Sequence, residues 1–367
     1  MSPLQKAQTY SVQDFGTVFG KLRFPIHVFE HNLDGYTFND VVVNYRYSPE
    51  DVLYDEKLEP VAVRFTNGLA RHRDAYVEQK RQSVKPGTPF FNGPGVGLRG
   101  FGTEERSHLF KKLVLDTRPS FFFDYVAVHH YLDKPIFDGK TIRELYEINP
   151  YSWNNVDGKS EYTVLPNHIG SEWVVISEPE QKLIAIQRPE TLAQYPGRYG
   201  VSPAGFIMRK VLIKDPNSPG GVKEIPADVI DGVPNPFRTA IREGQQEMGI
   251  SFSLDQIKLY ALARPWDDLH PELIGEIRTN MTVDEIRSSI PKGSKYEILR
   301  LMDIPFDPES VIKGYHPKNY PGLVDYKDFD FSHPTGSWVP AQALAVLFST
   351  IREFGEEKVR QVVNELQ

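Results

Sequence analysis

Arg242-Glu243-Gly244-Gln245-Gln246-Glu247-Met248-Gly249-Ile250 is the stretch on which the reading of this chain turns. Residues three and four apart on a helix share a face. Glu243, Gln246 and Glu247 are therefore expected to form one polar patch, while Ala240, Ile241 and Met248 supply apolar packing. Gly249 stands where a helix C-cap belongs, so the helix is expected to stop there. Two carboxylates and an amide presented beside a loop are oxygen ligands of the kind Mg2+ and Mn2+ prefer, and such ions commonly bridge to substrate phosphates. The competing reading is a solvated helix face with ordinary ion pairs, Arg242 pairing with neighbouring acids.

Working outward from this helix, 173–176 and 182–186 predict a strand pair joined by Glu178-Pro179-Glu180. A turn-rich stretch, Tyr195-Pro196-Gly197-Arg198-Tyr199, leads to Ser202-Pro203-Ala204-Gly205 and an apolar run to Ile213. Beyond the helix, strands are expected at 257–263 and 296–304, and amphipathic helices at 341–354 and 356–366. Strands interleaved with helices that can cover both faces imply an α/β sandwich. Before it, strands are expected at 24–29, 41–47, 109–115 and 121–128, the last two separated by an Arg118-Pro119 turn. Helices are expected at 68–82 and at 141–148, the latter capped near Gly139 or Thr141. Pro, Asn, Asp, Gly and Ser concentrate between 149 and 167, which suggests an α+β N-terminal domain over 1–167 and a second domain over 168–367.

Composition narrows the function classes. The chain has 367 residues, 40% hydrophobic and 25% charged, with a mean hydropathy of -0.41; these are globular values. No apolar run approaches the roughly 18 residues of a membrane span. Met1-Ser2-Pro3-Leu4-Gln5-Lys6 lacks the apolar core of a secretory signal, so a cytoplasmic location is expected. There is no cysteine, which removes thiol nucleophiles and thiolate zinc sites. A net charge of -7 argues against an extended nucleic-acid surface but leaves room for a small basic phosphate pocket.

The nine-residue stretch resembles the Nudix box, whose closing pattern is Arg-Glu-apolar-any-Glu-Glu-any-Gly-apolar. Arg242, Glu243, Glu247, Gly249 and Ile250 match it, while Gly244 takes the apolar slot and Gln246 the first glutamate slot. Gln187-Arg188, Pro196-Gly197-Arg198-Tyr199 and Pro203-Ala204-Gly205 follow the order usual in that family, and Ser337-Trp338-Val339-Pro340 resembles the entry to its last helix. An insertion, roughly 211–235 and read as a hairpin or excursion, separates Gly205 from the box helix and leaves Pro234 in the upstream glutamate slot.

The resemblance implies a Nudix-like α/β/α sandwich and Mg- or Mn-dependent attack of water on the diphosphate linkage of a nucleoside diphosphate joined to another group. It makes Glu247 a metal ligand, Glu243 the base or second ligand oriented by Arg242, and Gly205 the box glycine of the metal site. Gln246 would stand at a ligand position with a neutral amide. Glu224, Asp228, Asp231, Asp267, Asp268, Glu272, Glu276, Asp328 and Asp330 are the acids that could restore the missing charge. Arg188 or Arg198 would grip a substrate phosphate, and the N-terminal domain would shape the pocket or a homodimer interface. The rival expectation is a catalytically weakened Nudix-fold module for nucleotide sensing or protein interaction.

Other signals carry less. Gly95-Val96-Gly97-Leu98-Arg99-Gly100 matches a dinucleotide fingerprint by letter, but its context predicts a turn leading into a strand. His129 and His130, read as adjacent strand residues, would face opposite ways and could not readily share an ion. His72-Arg73-Asp74 lacks the other kinase elements. The aromatic residues Phe90, Phe91, Phe121, Phe122, Phe123 and Tyr125 are expected in the core.

Overall fold

The computed structural model describes residues 17–19, 22–24, 26–45, 67–83, 92–107, 110–136, 138–145, 148, 165–190, 192, 195–214, 222–265, 268–292, 298–314 and 338–366. Strands β1 (Thr17–Phe19) and β2 (Leu22–Phe24) pair ahead of β3 (Ile26–Tyr36) and β4 (Val41–Tyr45). Helix α1 (Asn67–Ser83) precedes an antiparallel ribbon of β5 (Pro94–Ser107) and β6 (Phe110–Phe121), which runs directly into α2 (Phe122–His129). A short helix, α3 (Ile142–Leu145), is entered at Thr141, whose hydroxyl accepts from the Glu144 N–H at 3.1 Å.

Next come β7 (Gly170–Ser177), β8 (Lys182–Gln187), β9 (Tyr199–Gly200) and β10 (Ala204–Phe206). Two antiparallel strand pairs follow, β11 (Lys210–Lys214) with β12 (Val222–Pro226) and β13 (Val229–Ile230) with β14 (Val233–Pro234). Helix α4 (Pro236–Glu243) continues as a π turn over Gly244–Met248. The chain ends with β15 (Ile257–Pro265), β16 (Glu272–Thr279), α5 (Val283–Ser289), β17 (Arg300–Pro305), α6 (Pro308–Gly314), α7 (Pro340–Phe354) and α8 (Glu356–Leu366).

The architecture is mixed α/β. One eight-stranded sheet runs in the order β17-β8-β7-β16-β15-β3, with β9 beside β8 and β10 beside β7. Within it β7 and β16 are parallel, and the other pairs are antiparallel. Alternate residues of a strand face opposite sides, so β7 serves two cores. Val174 and Ile176 pack with Leu344 and Leu347 of α7, and Val359 and Val363 of α8 lie in the same cluster. Trp173 and Val175 pack with Phe237 and Ala240 of α4, Met248 of the π turn and Ile286 of α5. The smaller sheet β4-β6-β5 adds Val96, Leu98, Leu113 and Leu115 to that second core. Each fully buried Leu, Ile or Val in these layers contributes about 1.5–3 kcal/mol.

Several expectations are corrected. Residues 122–129 form helix α2 rather than a strand, because a continuous apolar run has no period to separate the two forms. The Asn92 side chain accepts from the Phe123 N–H at 2.9 Å and starts that helix. Arg118-Pro119 makes no turn and continues β6, where Pro119 lies opposite Val96 of β5. The glycines at 95–100 belong to β5 throughout. A Cβ on Gly97 would lie 2.5 Å from the Pro166 carbonyl oxygen, so glycine lets the ribbon dock where Leu98 N–H donates to Asn167 O at 2.9 Å.

Strand β16 had not been anticipated. Of the 149–167 boundary, 149–164 lie outside the described residues, as do the first six residues, Phe90, Phe91, 215–221, Asp267, Asp328, Asp330 and Ser337. The main sheet takes strands from both sides of that stretch, since β3 pairs with β15. Among the described residues no helix is long and apolar enough to cross a membrane.

Candidate functional site

The site begins with the local structure of α4. Asn235 caps it by accepting from the Phe237 N–H at 3.0 Å, and Pro236 occupies the first turn, where its missing N–H has no helical partner to lose. After Glu243 the helix widens into the π turn. A wider turn holds more residues per revolution, so a spacing of three falls further short of a full circuit. Glu247 therefore comes round to the side of Glu243, whereas Gln246 swings outward and is exposed. The turn ends at Gly249 with φ 71°, where a Cβ would lie 2.1 Å from the Ser289 carbonyl oxygen. Gly244 occupies the apolar slot because the Phe252 ring fills that space: a Cβ there would be 2.6 Å from it.

Arg242 ties this helix to the body of the protein. Its Nε and Nη2 each donate to Asp228 at 2.8 Å, Nη2 also donates to Phe206 O at 2.9 Å, and Nη1 reaches Glu243 Oε1 at 2.7 Å and Gln246 Oε1 at 3.1 Å. Asp228 is fully buried and also accepts from the Met208 N–H and the Thr239 hydroxyl. The ion-pair reading of Arg242 thus holds, and Asp228 is committed to that pair.

Glu243, Glu247, Gly205 and Arg188 converge on one cavity of about 270 Å³. Glu247 is buried, with Oε2 accepting from the Ser202 hydroxyl at 2.7 Å and the Ala204 N–H at 3.2 Å. The Gly205 carbonyl accepts from Ser171 Oγ at 3.1 Å, and a Cβ on Gly205 would fall 2.0 Å from Glu243 Oε1. Bare backbone at 205 is what lets Glu243 approach. Arg242, Gln246 and Arg198 are not among the lining residues. Arg198 is buried with its guanidinium 4.7 Å over the Tyr195 ring, and its carbonyl accepts from the Arg188 N–H at 2.8 Å.

The cavity also contains Glu172, His270 and Glu272. The parallel register of β7 and β16 sets Glu272 beside Gly170. His270 lies between two acids, with Nδ1 2.8 Å from Asp268 Oδ2 and Nε2 bonded to Glu272 Oε1. Burial opposes charge on His270, but Asp268 and Glu272 outweigh it and hold its pKa well above the ordinary value. Gln342 bridges the wall, donating from Nε2 to Glu172 Oε2 while Oε1 accepts from the Val201 N–H at 2.9 Å. Burial, then repulsion from Glu272, pushes Glu172 well above the usual carboxylate range, and Arg188 and His270 only moderate this. Burial raises Glu272 as well, against the pull of His270.

Glu272 stood among the candidate acids, whereas Glu172 and His270 did not. Their signals were an acid heading the apolar strand 173–176, and the alternation Asp268, His270, Glu272, whose spacing of two places side chains on one side of an extended chain. Asp268 pairs with His270, while Glu276 is bound by Arg278 and Arg352. Among the described residues no three His, Asp or Glu side chains gather closely enough to hold an ion.

Beside the cavity, Tyr125 of α2 is surrounded by His129, His130, His168 and His270, with ring centroids 5.1, 5.3, 5.9 and 5.2 Å away. His129 is the last helical residue and His130 the cap, so the opposed-face argument based on a strand does not apply. Burial and the charge of His270 hold His129 well below its ordinary pKa and lower His168 to about 3. His130 falls to about 4, chiefly through burial.

No family model matches the sequence, and no curated protein does. Among solved structures, the crystal structure of DR0079 from Deinococcus radiodurans is similar over 40% of this chain and 70% of that one, at 13% identity and a TM-score of 0.25. A likeness that slight bears on neither fold nor function.

Proposed function

We propose that the layered α/β body is a Nudix-like α/β/α sandwich and that its cavity hydrolyses the diphosphate linkage of a nucleoside diphosphate joined to another group, with Mg2+ or Mn2+. The observation that carries this reading is the convergence of Glu243, Glu247, Gly205 and Arg188 on one cavity. Two carboxylates and a carbonyl form an all-oxygen donor set, which fits a hard divalent cation; Glu243, Glu247 and the Gly205 carbonyl are the residues that would hold it. Such an ion, when bound, neutralises charge developing on phosphoryl oxygens. Arg242 fixes one oxygen of Glu243, and the carboxylate so oriented accepts a proton from the attacking water. Arg188 pairs with the diphosphate. Arg198, turned onto Tyr195, has a scaffolding part.

The second reading, a catalytically weakened module that senses a nucleotide or binds a protein, is favoured by one observation. Gln246 faces solvent, and both Glu243 and Glu247 already accept hydrogen bonds from protein donors. A panel of nucleoside diphosphate derivatives with Mg2+ or Mn2+, followed by phosphatase-coupled phosphate release, separates the two. The hydrolase reading expects turnover that falls about 100-fold or more in Glu243→Gln and is abolished in Glu247→Gln, with thermal melts showing both variants folded. Tight binding of an intact nucleotide without turnover supports the sensor.

A further inference from the structure

The cavity's acids form two groups: Glu243 and Glu247 come from α4 and its π turn, whereas Glu172 and Glu272 come from the sheet. Glu272 is 2% exposed and lines the cavity. His270 holds its Oε1, yet its Oε2 has no hydrogen-bond partner among the described residues. That oxygen occupies the space a side chain at Gly170 would take, 2.1 Å from where a Cβ would be. A buried carboxylate oxygen with no donor is unfavourable, so a ligand that brings a donor gains from meeting it.

The surroundings select the kind of donor. A cation needs about six oxygens, and among the described residues no third acid joins this pair closely enough to hold an ion; the positive charges of Arg188 and His270 are already beside it. Burial and Glu272 push Glu172 towards its protonated form, which can donate, while the partnerless Oε2 of Glu272 can accept. An ammonium group only donates, whereas a hydroxyl both gives and accepts. Ile186, Leu192, Val201 and Phe206 supply apolar wall beside them.

We propose that Glu272 and Glu172 recognise the vicinal diol of a sugar joined to the phosphate-bearing part of the ligand, with His270 and Asp268 as positioning residues. This rests on the cavity being a phosphate-ester site and does not require it to hydrolyse anything.

The test is calorimetric binding in excess EDTA, so that turnover and metal play no part. ADP is compared with 2′,3′-dideoxy-ADP to probe the nucleoside sugar, and with ADP-ribose to probe a second sugar. The expected result is that one diol-bearing probe binds best to the unaltered protein, and that Glu272→Gln weakens it by about tenfold or more. The matching probe without that diol, 2′,3′-dideoxy-ADP for the nucleoside sugar or ADP for the second sugar, should change less than about twofold. Glu172→Gln, a second variant that keeps the shape of the wall, should act in the same direction. Equal losses for diol-bearing and diol-free probes overturn the proposal, as does failure of every probe to bind. If Glu272→Gln instead removes Mn2+ binding, read by electron paramagnetic resonance, and leaves diol discrimination intact, Glu272 is a cation ligand and the proposal falls. Binding without hydrolysis in the presence of Mg2+ would count against the hydrolase alone.

Discussion

Arg242 donates to Glu243 and makes four other bonds, two of them to a carboxylate with no exposure to water. Removing the guanidinium leaves buried Asp228 without its ion-pair partner, held only by the Met208 N–H and the Thr239 hydroxyl. Arg242→Ala should therefore cost about 3–5 kcal/mol of stability by urea denaturation, and Lys, lacking the planar fork, should restore only part of it. The histidines around Tyr125 give a second prediction. His130 and His168 have folded values of about 4 and about 3, below the ordinary 6.5. Their contribution to stability is present above pH 6.5 and is lost as pH falls through the folded values, about 3 kcal/mol for His130 alone. His270 has the opposite sign: its contribution is complete below 6.5 and fades as pH rises through its elevated value. Urea midpoints should drop between pH 7 and pH 4, and less steeply in His168→Gln; an unchanged slope would contradict this. That Glu243 and Glu247 share one side, and so one cavity, was legible because helical spacing is a local rule. Glu172 and His270 were not, because only the β7–β16 register brings them together, and that is a long-range fact.

Elements were most readable where their period was strong, as in β7, β8, α7 and α8. They failed where the run was apolar throughout, as at 122–129, and where acids stood at the start and middle of a strand, as in β16. The π turn lay beyond reach for another reason. It exists because Gly249 must meet Ser289, and Gly244 must meet Phe252, without side chains of their own. Gly249→Ala combines a left-handed backbone with a collision against a carbonyl, and should cost roughly 1–3 kcal/mol. Because Glu247 hangs from the same turn, its hold on Ser202 and Ala204 should loosen too, which amide exchange at Ala204 would reveal as faster protection loss.

At the scale of the molecule, the α/β class followed from strands alternating with amphipathic helices, while the sheet order did not. Leu344, fully buried between α7 and the main sheet, should cost about 2–5 kcal/mol as Ala, lowering the cooperative melt of the whole sheet rather than a local one. The outer place of β3 has a less visible effect. Ile26 faces Pro265 and Tyr36 faces Leu259, so β3 meets this partner only after about 220 further residues have been made. At roughly 5–20 residues per second that interval is about 10–50 s, during which β3 lacks its β15 partner. The earliest strand of the main sheet is thus among the last to be paired, and how fast this protein matures depends on how well that segment is kept from other partners while it waits.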